Sequence, residues 1–151
     1  MKTTILSLCL LATSLVACNN DDDADLAKEA VPSVVQNALN MKFQNLQNLE
    51  WEQTDSLYEA EFDLNSMEHK VLINAAGELV QHKMDIPLTS LPPAVAEAAA
   101  QVCPGQQMEE VEQVEKGSLV YYQVEFDNRS CDRKLVYSPE GAEITNQPYW
   151  D

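Results

Sequence analysis

Glycine is scarce, with four in 151 residues. So few leave no glycine-rich phosphate cradle and no dinucleotide fingerprint, and no nucleophile elbow is present. Histidine is scarcer still: only His69 and His82 occur. Their separation matches no zinc-protease spacing. Both fall in segments that read as strands, where a hydrated surface histidine is the ordinary state. Nine basic side chains face 25 acidic ones, a net charge of −16. That balance lacks the basic footprint nucleic acid requires and disfavours adsorption to anionic headgroups. No apolar run reaches the ~20 residues of a membrane-spanning helix. The expected site therefore contains no metal, no cofactor and no nucleic acid.

What is present begins with an address. Lys2 precedes "ILSLCLLATSLVA", a positive charge followed by a short apolar run, which is the layout of a secretory signal. "LVAC" (15–18) resembles the lipobox of bacterial lipoproteins, with Ala17 as the small residue before the cut and Cys18 as the thiol. The resemblance implies a signal peptide over 1–17 and acyl chains on Cys18, several of which anchor stably where one alone is marginal. Without residues 1–17, which include Lys2, 134 residues remain with 8 basic and 25 acidic side chains, a charge of −17. "NNDDDAD" then reads as a hydrated acidic tether over 18–29. It is also similar to the acidic export signals that follow the lipid cysteine in Bacteroidota lipoproteins. The expected location is the outer membrane, lipid-anchored and at the cell surface, with a periplasm-facing protein as the alternative. "DDDAD" lacks the alternation and glycine of a calcium loop.

Four cysteines occur. Cys9 leaves with the signal and Cys18 goes to lipid, so Cys103 and Cys131 remain in an oxidising compartment. Either they form a disulfide or they are two buried thiols.

The chain also repeats itself. "VPSVVQNAL" (31–39) aligns with "LPPAVAEAA" (91–99), and "EWEQ" (50–53) with "EVEQ" (110–113), both at an offset of 60. "YEAEF" (58–62) aligns with "YQVEF" (122–126), and "KVLINAAGELV" (70–80) with "KLVYSPEGAEI" (134–144), both at 64. The extra four residues predict a longer hairpin in the second copy. Each copy opens on a helix with proline in its first turn, Pro32 or Pro92. Val31, Val34, Val35, Ala38, Leu39 and Phe43 make one apolar stripe, and Ala94, Val95, Ala98, Ala99 and Val102 repeat it. "CPG" (103–105) stops the second helix.

Strands follow. Tyr58, Ala60, Phe62 and Leu64 alternate with Glu59, Glu61 and Asp63; Val120, Tyr122, Val124 and Phe126 alternate with Tyr121, Gln123, Glu125 and Asp127. This predicts antiparallel sheet with one dry and one wet face. Turns at Gly77 and Gly141 lead to last strands around Val80 and Ile144. The expectation is α+β: two tandem α-β4 units, over 30–88 and 89–146, each a helix packed on an antiparallel sheet, with a terminal segment over 147–151. The pattern resembles the PepSY-like domains of Bacteroidota lipoproteins, which are similar in layout to the beta-lactamase inhibitor protein fold. Set against that repeat, Cys103 corresponds to Phe43 and Cys131 to Met67.

The carboxylate pairs Glu59/Glu61 and Glu125/Asp127 share the wet face. Glycoside hydrolysis uses two carboxylates, but no apolar pocket is in view to raise one of them, so no catalytic residue is expected. The expectation is a non-enzymatic binding module. Glu59, Glu61, Asp63, Tyr121, Gln123, Glu125 and Asp127 form its partner face, suited to a basic protein surface, a peptide or a small envelope ligand. The resemblance implies an alternative, the inhibition of a peptidase or another envelope enzyme. Asp55-Ser56-Leu57 resembles the O-glycosylation site of Bacteroidota exported proteins, with Ser56 as acceptor. In the ending "NQPYWD", Tyr149 and Trp150 are expected to tuck against an apolar edge.

Overall fold

A computed structural model describes residues 24–151; Cys18, the signal peptide and most of the acidic stretch lie outside them. After the short strand β1 (Ala24–Asp25), the first unit consists of helix α1 (Ser33–Lys42) and strands β2 (Gln47–Thr54), β3 (Leu57–Leu64), β4 (Met67–Asn74) and β5 (Leu79–Asp85). The second has helix α2 (Pro93–Val102) and strands β6 (Glu110–Lys116), β7 (Leu119–Asn128) and β8 (Cys131–Tyr137). All eight strands form one antiparallel meander in chain order. β5 and β6 join the units through the register His82 with Glu115 to Asp85 with Glu112.

The duplication holds at the level of single side chains. Pro32 and Pro92 sit at the helix N-caps, one place ahead of the first turn, and Phe43 and Cys103 at the C-caps. A single 3-10 turn precedes each helix, at Lys28–Ala30 and Leu88–Ser90. The first core buries Val31, Val35, Leu39, Phe43, Trp51, Ala60, Phe62, Val71 and Ile73. The second buries Leu91, Val95, Ala99, Cys103, Val111, Val124, Phe126, Leu135 and Tyr137, the same positions at offsets of 60 and 64. Spacing of four along each helix aims one row of side chains at the sheet. The rest of the predicted stripe is not all covered: Val34 is 45% exposed and Val102 41%. Each fully buried aliphatic or aromatic side chain contributes about 1.5–3 kcal/mol.

The four extra residues of the second copy lengthen its hairpin arms and leave the tip alone. Both hairpins close on two residues, Thr54 pairing with Leu57 and Lys116 with Leu119. The longer arms of β6 and β7 carry Leu119 and Val120 into solvent, so Val120 does not join the dry face. The second unit's fourth strand is reduced to a bridge between Tyr137 and Glu143, with the Ile144 N–H donating to Val136 O. Beyond it the chain crosses to the other side of the sheet. β1, within the stretch read as tether, extends the sheet by pairing Ala24 with Gln53.

Candidate functional site

Because β5 and β6 pair, the face away from the helices runs unbroken across both units. Strict alternation puts Glu59, Glu61, Asp63, Tyr121, Gln123, Glu125 and Asp127 on it, opposite Ala60, Phe62, Tyr122, Val124 and Phe126 in the two helix-side cores. Those seven residues are not equally accessible. Asp127 is exposed, and Glu59, Glu61, Asp63 and Glu125 are half-buried. Tyr121 and Gln123, expected to face water, are buried, at 3% and 0% exposure. The cause is the chain's own terminal segment. Ile144, Tyr149 and Trp150 lie on this face and pack against Val114, Tyr121 and Val136. The two aromatics thus settle on the broad side of the sheet and not at an edge.

Side chains of the sheet hold that segment. The Gln123 amide takes both main-chain groups of Trp150: Nε2 donates to Trp150 O at 2.9 Å and Oε1 accepts from Trp150 N–H at 2.9 Å. Lys83 Nζ donates to the same carbonyl at 2.8 Å and stands 5.7 Å from the centre of the indole ring. The indole N–H donates to Glu59 Oε2 at 3.2 Å. Lys134 pairs with Asp151 and lies 4.9 Å from the Tyr149 ring. Beneath the segment, Lys83 and Glu112 form a buried ion pair at 2.6 Å, and Gln123 also donates to Glu112 at 2.8 Å. Gln81 donates to the Tyr121 hydroxyl at 3.0 Å. Beside Trp150, a cleft of about 330 Å³ lined by Glu52, Glu59, Lys70 and Asp151 continues over the first unit. Sequence reasoning did not single out Lys83, Glu112, Gln81 or Lys134; period-two alternation along β5, β6 and β8 is the one signal that puts them here.

Three carboxyls of the face hold their protons more tightly than usual. Burial, then repulsion from Glu68, Glu112 and Glu110, pushes the Asp85 carboxyl up to about 6. Burial followed by Glu112 and Glu125 raises Glu110. Glu59 is raised by burial, against the opposing pull of the Trp150 hydrogen bond and Lys70. Lys70 bridges Glu61 at 3.1 Å.

The other sequence candidates lie elsewhere. His69 and His82 are not hydrated; both are buried on the helix side of the sheet. Their rings stack with centroids 5.2 Å apart and share one hydrogen bond, Nδ1 to Nε2 at 2.9 Å, beneath Phe43 and Phe62. Cys103 and Cys131 are joined by a disulfide with Cα atoms 5.9 Å apart, linking the end of α2 to the start of β8. Ser56 is exposed in the turn between β2 and β3. Among the described residues no cluster of three or more His, Cys, Asp or Glu side chains is placed to hold a metal ion. No helix among them is long and apolar enough to cross a membrane.

Comparison with known proteins gives a consistent picture. A family model described as "Putative beta-lactamase-inhibitor-like, PepSY-like" matches residues 19–81 and 70–145. A solved structure from Bacteroides eggerthii, described as "putative periplasmic", is similar at a TM-score of 0.67 and 24% identity, over 78% of this chain and 88% of that one. A DUF2874 family protein from Bacteroides uniformis gives a TM-score of 0.64 at 25% identity, covering 75% of this chain and 86% of its own. A BLIP-like protein from Bacteroides fragilis gives 0.61 at 20% identity, covering 75% and 82%. No curated protein matches the chain.

Proposed function

Given that the chain belongs to the beta-lactamase-inhibitor-like, PepSY-like family, we propose that it is a non-enzymatic binding module of the cell envelope, held at the outer membrane by lipid on Cys18. The observation that carries this reading is the helix-free face. It spans both units and is lined by charged and amide side chains around an apolar patch. The partner is a basic protein or peptide. Burial, and after it repulsion from acidic neighbours, makes Asp85 and Glu110 hold protons more tightly than usual, and a docked cation offsets the repulsive part. The location is supported by the bacterial-lipoprotein-like start of the sequence.

The test is capture from envelope extract with the immobilised protein, at low and at high salt. One partner is expected, released as salt rises and lost on the double reversal Glu61→Lys, Glu125→Lys. Recovery indifferent to both changes overturns the acidic-face reading. The family description favours a second reading, the inhibition of an envelope enzyme. That reading predicts that stoichiometric protein slows a co-localised peptidase or β-lactam hydrolase, and unchanged rates remove it.

A further inference from the structure

We infer that residues 149–151 are a built-in, displaceable occupant of a peptide-recognition site, and that the external ligand is an extended peptide with an aromatic residue followed by an acidic one. This rests on the reading of the helix-free face as the binding face, and names the motif taken at its Lys83 and Lys134 end; the basic part of the partner lies beyond that motif, toward Glu59 and Glu61 of the first unit.

Three features separate a docked ligand from a structural brace. First, among the described residues, main-chain pairing of the chain end to the sheet stops at Ile144, whose N–H donates to Val136 O; the anchors beyond are side chains of β3, β5, β7 and β8. Second, the central anchors recognise main chain. Gln123 takes the N–H and the C=O of one residue, and Lys83 takes the same C=O. Those groups exist in any extended peptide, so covalent attachment is not needed to supply them. Selectivity comes from the flanks: the ring beneath the Lys83 ammonium with its N–H on Glu59, and the following carboxylate on Lys134. Third, the lining is mixed: beside the apolar patch of Val114, Tyr121 and Val136 it buries Lys83, Glu112 and Gln123, where a permanent brace is better served by apolar side chains throughout. A buried pair such as Lys83–Glu112 rarely outperforms a hydrophobic contact of the same volume. Lys83, Glu112 and Gln123 suit a face that is wet whenever its occupant leaves. The adjoining cleft past Trp150 gives a longer peptide room to continue across the first unit.

A tethered occupant acts at an effective concentration on the order of millimolar, so the intact chain resists weak external peptides. The probe is the synthetic heptapeptide TNQPYWD, matching residues 145–151, titrated into the full-length chain and into its Tyr149→Ala, Trp150→Ala variant. The variant is expected to bind it at least about tenfold more tightly than the parent does, and to ignore TNQPYAD. A folded variant that binds neither peptide overturns the inference. Should the variant not fold, hydrogen exchange of the parent decides. The Trp150 amide is expected to exchange at least about 100-fold faster than the Val124 amide, through local opening; equal rates make the segment an integral part of the fold and overturn the inference. Uptake of the heptapeptide without any envelope partner leaves this site standing and removes the proposed function. Envelope capture by a folded variant that refuses the heptapeptide does the reverse.

Discussion

At the scale of single residues, the histidine pair carries the clearest consequence. Burial, then the neighbouring His69 and Lys42, lowers His82 to about 4, against the pull of Glu115; burial lowers His69 as well. A depressed folded-state value means that the stability these rings contribute is present above their unfolded value of about 6.5 and is lost as pH falls toward 4. Asp85, raised to about 6, works in the opposite direction, since its protonation favours the folded state. The two are separated by comparing urea unfolding of the parent and of His82→Gln at pH 7 and pH 5. The parent's advantage over the variant is expected to shrink by about 2 kcal/mol between the two; a constant difference means that His82 is not held neutral by the fold. The burial of these residues was not legible in the sequence. Alternation fixes which side of a strand His69, Tyr121 or Gln123 occupies, but not what lies on that side. His69 and His82 lie under Phe43, at the end of α1. Tyr121 and Gln123 lie under a segment about 25 residues further along the chain, and no local periodicity encodes that return.

At the scale of elements, the repeat was legible because both copies solve the same packing problem. The glycine turns show why. Gly77 and Gly141 both adopt φ +82°, each donating its N–H to the residue three places back, Asn74 or Ser138. Each also presses on the first turn of its unit's helix. A Cβ on Gly141 stands 2.4 Å from Ala94 O, and one on Gly77 stands 3.0 Å from Val34 Cγ2 and 3.1 Å from Val34 O. The turn thus fixes the height at which the helix sits on the sheet, and only glycine satisfies both the dihedral and the approach. Gly141→Ala is expected to destabilise by about 2–4 kcal/mol and Gly77→Ala by about 1–2 kcal/mol, read as urea midpoints. The reverse order sets this account aside, because the Gly77 contact is partly with a side chain that yields, and the Gly141 contact is with main chain. Less legible was the second unit's fourth strand, which the alignment extends through Ile144. The chain forms its one bridge at Glu143 and then departs to cover the opposite face.

At the scale of the whole molecule, the question is whether two similar cores behave as one. The second helix offers Ala99 where the first offers Leu39, so its apolar burial is smaller, and the disulfide sits at the end of that weaker helix. Closing a 28-residue span, it stabilises by about 3–4 kcal/mol in the chain-entropy picture. The seam between the units is strong on both faces. His82 lies beside Glu115 on one, Lys83 and Gln81 reach Glu112 and Tyr121 on the other, and Trp150 touches Glu59 of the first unit and Gln123 of the second. A seam that buries ionic and amide groups from both sides leaves them unsatisfied if one unit melts alone. The halves are therefore expected to unfold together. In native-state hydrogen exchange the slowest amides of β4 and of β7 should report the same opening free energy. Reducing the disulfide should lower both by the same 3–4 kcal/mol, with the urea midpoint falling by about 2 M for an m-value near 2 kcal/mol/M. If reduction instead releases β7 and leaves β4 protected, the seam is weaker than its contacts imply, and the second unit alone depends on its disulfide for the fold that presents Gln123 and Lys134 to a ligand.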